Sequence, residues 1–550
     1  MNRAFFRIFI RLTLGLTITF AETTSAQATD DVLDTSFGSG GIVTTDFIGG
    51  DDFANDVDVQ EDGKIIVVGT GFNGTENDFA LVRYNPDGSL DTTFDIDGRV
   101  LTDFNHASLA SAVAFQPDGK IVVAGSANNG ADSDFAVARY NSDGSLDTTF
   151  DTDGKLTTPI GSNDDYGEDL VLQPDGKIIL TGFSHDNAMS VDNFVVARYD
   201  TNGLLDPTFG YGGIVTTDLG CSAGGYAVAL QSDGKIVAGG HSCGSSGMDF
   251  VLVRFNSNGS LDANFDTDGV VTTDFSNSQD AGFAIAIQPD GKIIIAGNSY
   301  TDPSVNIVFA LARYNTDGSL DMSFDGDGKV TTDLGGSRDL GYALALQPDG
   351  RIIVAGEHWQ DGSNIDFGLA RYNPDGSPDA AFGTDGKVIT DLSPGDYGSS
   401  VAIQPDGKII MAGTTTNANY FDFAVARYQV VSPVREVAID IKPDSRRNQV
   451  NPTSRGRIRV AILSAPDFDA LAMIDQHTVR FGRTGEEASL LSCKKSGQDV
   501  NHDGLRDLIC EFSIRATGFQ IGDAMGILTA HTIDGVMLTG SDLVKVVPDD

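Results

Sequence analysis

Five oxygen-bearing residues stand at metal-loop spacing near the end of the chain: Asp499, Asn501, Asp503, Leu505 and Asp507, within the run DVNHDGLRD. A hard cation such as calcium takes roughly six to eight oxygen ligands around a tight loop. Side-chain oxygens at loop positions 1, 3, 5 and 9, the Leu505 carbonyl at position 7 and the bend at Gly504 meet that need. At position 12, where the long form of such a loop has a bidentate Glu, this chain has Cys510, followed by Glu511. The expectation is a short calcium loop, with calcium as cofactor, weighed against an Asx-capped turn that binds nothing.

A thinner oxygen set recurs along the chain. Asn85, Asp87 and Asp91 sit at i, i+2 and i+6, with parallels such as Asn141/Asp143/Asp147 and Asn315/Asp317/Asp321. One or two charges per loop is little for calcium, so an Asx turn whose Asp pairs with a nearby Arg is the stronger expectation. Asp46, Asp103, Asp218, Asp274, Asp333 and Asp391 each close a β-rich run, and Pro159 breaks the series in the third copy. If those runs line a central channel, these carboxylates could gather a cation at its mouth. Ligand-contact candidates are the irregular residues His185, His241, His358, Trp359 and Tyr420, because variable loops on a rigid scaffold tend to carry function. The spacing HExxH does not occur, and carboxylates are too numerous to single out an acid and base pair.

These residues are positioned by a repeat. Glutamines at 60, 116, 173, 231, 288, 347 and 404 each open a copy of a stretch best seen as QPDGRIIVAG (Gln347 to Gly356). Pro presets φ, Asp caps its own backbone and Gly takes the positive φ of a turn between two apolar runs, so the unit reads as a hairpin. In the first copy four β-rich runs are expected: Gly41 to Phe47, Ala54 to Gln60, Lys64 to Thr70 and Asp78 to Tyr84. Four strands, repeated seven times without interruption, predict an all-β seven-bladed propeller rather than an open solenoid. An Arg recurs in each copy at 83, 139, 198, 254, 313, 371 and 427, and a Phe at 37, 94, 150, 209, 265, 324 and 382. Sevenfold residues are read as architectural. The Pro-Asp-Gly turns fall on the edge opposite the irregular loops, so function is expected on the loop side.

The chain has 550 residues, too many for one core, and its 65 glycines and single Trp suit a turn-rich β protein. Net charge is −42, which argues against nucleic acid as a partner. Residues 1–28 have the form of a secretory signal: Arg3, Arg7 and Arg11, an apolar run too short to span a bilayer, and Ala26-Gln27-Ala28. No later run is long and apolar enough to span. In an exported chain the four cysteines are expected to pair as Cys221–Cys243 and Cys493–Cys510. The domain plan is therefore signal 1–28, propeller 29–429, linker 430–434 and a small β-sandwich at 435–550. From residue 29 to 434 there are 19 basic and 60 acidic residues, a net of −41, whereas 435–550 carries 14 and 17, a net of −3.

The repeats, through LDTTFDIDG (Leu90 to Gly98), QPDGKIVVAG (Gln116 to Gly125) and ARYNTDG (Ala312 to Gly318), resemble the bacterial delta-60 repeat. That resemblance implies a propeller-like array in exported proteins and no known catalytic residues. The last segment, through IDIKPDS (Ile439 to Ser445), VAILSAPDFDA (Val460 to Ala470), TVRFG (Thr478 to Gly482) and DVNHDGLRDL (Asp499 to Leu508), resembles a C-terminal module of secreted bacterial proteins. It implies an accessory, calcium-associated β-domain. The combined expectation is a secreted, non-catalytic binding or scaffold propeller, placed extracellularly, at the cell surface or in the periplasm. It would recognise an extracellular protein or polysaccharide. The alternatives are an extracellular lyase or hydrolase, or a purely structural surface protein.

Overall fold

The computed structural model describes residues 32–547 except 187–190, 245–246, 276–278, 302–305, 361–363, 418–419, 430–434, 444, 446–447, 467, 486 and 534–536. The signal-like segment and the linker lie outside the described residues. Two compact units form, residues 1–430 and 431–550.

The first unit is seven four-stranded antiparallel sheets. Blade 1 contains Phe53–Val59, Ile65–Phe72, Asn77–Tyr84 and Arg99–Thr102, hydrogen-bonded in that order. The second and third strands of each blade are apolar runs buried along almost their whole length, because neighbouring blades cover both faces. The inner strands are Phe53–Val59, Ser108–Phe115, Asp165–Leu172, Gly224–Leu230, Asp280–Ile287, Arg338–Leu346 and Asp396–Ile403, and each touches its neighbours around the ring.

This order corrects the expected one. The run from Gly41 to Phe47 is not the channel-lining first strand of its repeat. Its ordered part, Ile42–Thr45, is the outer strand of blade 7 and pairs with Tyr420–Tyr428, Ile42 opposite Ala426 and Thr45 opposite Phe423. The chain lays a short outer strand on one blade, then crosses to the centre of the next. The ring is thus closed by the start of the array on its end, with Asp34 N–H donating to the Arg427 carbonyl at 2.8 Å and Gln429 N–H to that of Val32 at 2.7 Å.

Every inner strand carries a bulge, between Ala54 and Asp56 in blade 1. The backbone there lies so close to the second strand that a Cβ on Gly69 would fall 1.9 Å from the Phe53 carbonyl oxygen. The bulge turns one residue per blade toward the adjacent inner strand. In blade 1 that residue, Asn55, donates to the Ala110 carbonyl of blade 2 at 2.8 Å.

The second unit packs two four-stranded sheets on one core. One contains Arg435–Glu436, Met537–Leu543, Met525–Thr532 and Ile474–Gly482; the other, Ile439–Ile441, Arg457–Ile462, Asp507–Ser513 and Leu490–Gln498. Ile441, Val460, Phe481, Phe512, Leu528 and Leu538 fill the space between them, a β-sandwich. Both expected disulfides are present, Cys221–Cys243 and Cys493–Cys510.

Candidate functional site

The two rims of the propeller divide the labour. On the rim of Pro-Asp-Gly turns, the Asn85 loop is a fold device. Asp87 accepts from the Ser89 N–H and hydroxyl, and Asp91 accepts from Thr93. Asp91 Oδ2 also lies 2.7 Å from Arg83 Nε and 3.0 Å from Lys64 Nζ, so its charge is already matched twice. Arg83 rests over Phe94 at 4.4 Å and donates to the Ser142 carbonyl of the next blade at 2.6 Å. The repeated Arg, Asp and Phe therefore staple blade to blade, and this geometry favours the metal-free reading of Asn85, Asp87 and Asp91.

The other rim gathers unmatched carboxylates. In five blades the inner strand opens with an aspartate that receives N–H groups of the incoming crossover. Asp52 accepts from Phe47 and Phe72, Asp165 from Ile160 and Gly161, Asp339 from Leu334, and Asp396 from Leu392 and Ser393. Blade 4 has Ala223 at this place, and there Cys221 of the crossover is bonded to Cys243 of the blade's second strand. The six aspartates expected to ring the channel mouth lie instead after outer strands, at the seams between blades. Four carboxylate triads form there: Asp46/Asp52/Asp422, Glu76/Asp78/Asp103, Asp249/Asp274/Asp280 and Asp366/Asp391/Asp396, the ligand atoms of each within 4.8 Å of one another.

Burial pushes the Asp52 and Asp366 carboxyls up to about 6, with Asp46 and Asp391 respectively adding repulsion. Their folded pKa exceeds the unfolded one, so protonation favours the fold: stability falls as pH rises from about 4 through about 6. His241, brought down to about 4 by burial, opposes this below about pH 6.5, but it is one group against several raised aspartates. In chelator the melting temperature of the propeller should therefore be several degrees higher at pH 5 than at pH 7.5. Each unit of displacement contributes at most about 1.4 kcal/mol before solvent screening. A melting curve that peaks at pH 7 or above would reject this ordering.

The irregular residues also lie on this rim, and the structure corrects their exposure. Trp359 is buried, with its indole N–H donating to Glu357 at 2.9 Å, and Arg338 sits over its ring. His358 is 4% exposed with Nδ1 2.8 Å from Asp339. His241 is buried and stacks on Tyr226 at 5.4 Å. His185 holds Asp192 at 2.8 Å and remains half open, and Tyr420 is exposed. Tyrosine and phenylalanine on the inner strands were not among the sequence candidates. Phe183, Tyr226, Phe283 and Tyr342 form a chain across blades 3 to 6 with centroid spacings of 6.0, 5.1 and 5.5 Å. Tyr166 joins it through Phe183, and Phe53, Phe421 and Tyr397 form a second group across blades 7 and 1. Tyr166, Phe283, Tyr397, Phe53 and Phe421 are only partly buried. The readable signal was an aromatic near the start of the second run in six copies, as in DYGED, GGYAV and LGYAL.

In the second unit, residues 499–507 join the strands that Cys493–Cys510 bonds together. Asp499 accepts from the Asp503 and Gly504 N–H groups, Asn501 Nδ2 donates to Asp503 at 2.8 Å, and Leu505 N–H donates to Asp503. Asp507 is fully buried, with one oxygen on the Ser464 N–H and the other on the Val500 N–H. Asp499, Asn501 and Asp503 thus share one exposed turn whose hard oxygens suit calcium, while Asp507 anchors the turn to the sheet.

Seven stretches, residues 60–94, 116–150, 173–209, 231–265, 288–324, 347–382 and 404–430, match one family model, described as a domain of unknown function (DUF5122) beta-propeller. Each of the seven blades thus contains a stretch similar to that family's model. Each matched stretch starts at the Gln of the Asp-Gly hairpin turn and all but the last end at the Phe beneath the Arg staple, so the family's unit straddles two strands of a blade and the staple that fixes it to the next. No curated protein matches the chain. Among solved structures, a fungal alcohol oxidase of the AA5 family in complex with copper is similar at 14% identity, covering 92% of this chain and 98% of its own, with a TM-score of 0.42. A catalytically inactive virginiamycin B lyase from Staphylococcus aureus with quinupristin is similar at 11%, covering 70% and 98%, TM-score 0.42. The polysaccharide lyase Uly1 is similar at 12%, covering 75% and 94%, TM-score 0.36. Likeness at this level says nothing of what this propeller binds.

Proposed function

We propose that this chain is an exported, non-catalytic binding propeller that takes a neutral polysaccharide at the aromatic rim of its channel, with a C-terminal domain stabilised by calcium at Asp499, Asn501 and Asp503. The observation that supports this most is the partly open rings of Tyr166, Phe283 and Tyr397 on the inner strands of blades 3, 5 and 7, each in contact with further aromatic rings. Sugar rings present C–H faces that stack on such side chains, and the surrounding aspartates offer acceptors for hydroxyl groups. A net charge of −41 over residues 29–434 repels uronate and sulfated polymers, which selects neutral ones. The His358–Asp339 pair is the feature a lyase or hydrolase would use, but its burial supports a packing role more than contact with a substrate.

The test is calorimetric titration of the full chain with a soluble neutral glucan or xylan and with alginate. Binding of a neutral polymer, weakened about tenfold or more (about 1.4 kcal/mol) by Phe283→Ala or Tyr397→Ala, is expected. Equal binding of alginate, or neutral binding indifferent to both variants, would overturn the reading.

A further inference from the structure

Beyond that reading, the seam between blades 4 and 5 carries an inference of its own. Asp249 opens the third strand of blade 4, Asp274 follows its outer strand, and Asp280 opens the inner strand of blade 5. Three elements that are separate in sequence thus bring three carboxylates to one place, with ligand oxygens within 4.8 Å of one another. Two oxygens bound to one calcium ion lie at most about 5 Å apart, given bond lengths of roughly 2.3–2.6 Å.

The seam also contains an oxygen that the protein leaves unmet. Asp249 is 8% exposed and Asp280 1% exposed, and the Oδ1 atom of Asp249 is buried without a hydrogen-bond partner, whereas Asp280 has the Ser299 hydroxyl beside it. A buried, unpaired carboxylate oxygen costs several kcal/mol unless something supplies positive charge, so such atoms in a finished fold point to a missing partner. The nearest ammonium, Lys329 Nζ, donates to the Asp274 backbone carbonyl at 3.2 Å, and one charge at the edge does not balance three. The same position in blade 1, Asp78, is 2% exposed and also has an orphaned Oδ1, within the triad Glu76/Asp78/Asp103.

We infer that the seam between blades 4 and 5 is a binding site for a hard divalent cation, calcium by its all-oxygen donor set, with Asp249, Asp274 and Asp280 as ligands. The ion would tie the end of blade 4 to the start of blade 5, beside the Phe275 N–H bond to Asp280 and the Tyr300 N–H bond to the Gln279 carbonyl.

The test uses the full chain stripped with chelator, and counts bound calcium by equilibrium dialysis while following the propeller's melting. Asp503→Ala removes the C-terminal loop's ion, so that the two sites are counted apart. Against that background Asp249→Asn/Asp280→Asn is expected to lose one calcium equivalent and the calcium-dependent rise in melting temperature. Without calcium it should melt no lower than its parent, since buried repulsion is gone. Asp274→Asn, at a partly exposed position, gives the same readout should the double variant not fold. An unchanged calcium count and melting response in these variants, or a parent that binds no calcium once Asp503 is replaced, would overturn the inference.

Discussion

Replacing Asp34 with alanine should cost the propeller about 3–5 kcal/mol, the usual effect of stranding one member of a buried ion pair. Asp34 is 3% exposed, and its Oδ2 lies 2.9 Å from Arg427 Nε and 3.2 Å from Lys408 Nζ. Burial alone would raise this carboxyl, but the Ser36 hydroxyl and N–H, Lys408 and Arg427 outweigh it and hold it well below the ordinary range. The equivalent aspartates elsewhere, such as Asp91 with Arg83, join residues within one repeat. Asp34 joins the two ends of the array: Arg427 also donates to Ser36, 391 residues away in sequence. Losing it strands Arg427 and loosens the seam that closes the ring. Asp34→Leu combined with Arg427→Met removes both charges and should cost clearly less than Asp34→Ala alone. Urea unfolding followed by far-ultraviolet circular dichroism measures both. A single variant within about 1 kcal/mol of the parent would mean that the pair is dispensable.

The second large effect is expected at blade 4. Removing the Cys221–Cys243 bond with a double serine variant should lower propeller stability by about 3 kcal/mol, the chain-entropy value for a loop of this length. The two cysteines are separated by 22 positions. The position that holds an aspartate in five inner strands, and Ser108 in blade 2, is Ala223 here, so the inner strand offers the crossover no carboxylate and the covalent bond takes that role. The loss should therefore appear in the propeller's unfolding transition and leave that of the C-terminal domain in place. An unchanged propeller transition after removal of this bond would show that the crossover is held by other contacts.

Turn chemistry made the repeat legible: Asp-Gly at seven places, preceded by Pro in five of them, fixes where hairpins lie, and the buried second and third strands read as apolar runs. Which strand faces the channel was not legible, because a sequence repeat can begin at any strand of a blade. Only the pairing of Ile42–Thr45 with Tyr420–Tyr428 shows that the short run belongs to the blade before it. That one-strand shift moved the expected aspartate ring from the channel mouth to the seams. The inner-strand aromatics were hidden for a related reason. A bulge that re-aims Tyr226, Phe283 and Tyr342 leaves no local mark beyond a nearby glycine. Trp359 is buried because Glu357, two residues earlier on the same side of the strand, reaches its indole N–H, and the crossing Arg338 covers it. In the C-terminal loop the spacing of oxygens was legible, but the engagement of Asp507 by Ser464 and Val500 is a tertiary fact.

The closing strand also sets a clock. Blades 1 to 6 can each assemble from contiguous chain, but blade 7 needs Ile42–Thr45, which is made long before its partner Tyr420–Tyr428 exists. Contacts between such distant segments form slowly, since the whole intervening loop must first be organised. Until residue 428 is available, the outer edge of the last blade stays open and the early strand has no mate. An arrested or truncated chain would therefore present a row of unpaired backbone groups at one end and an orphan strand at the other. Two such chains could complete each other, so interrupted synthesis should yield strand-exchanged dimers rather than shorter rings.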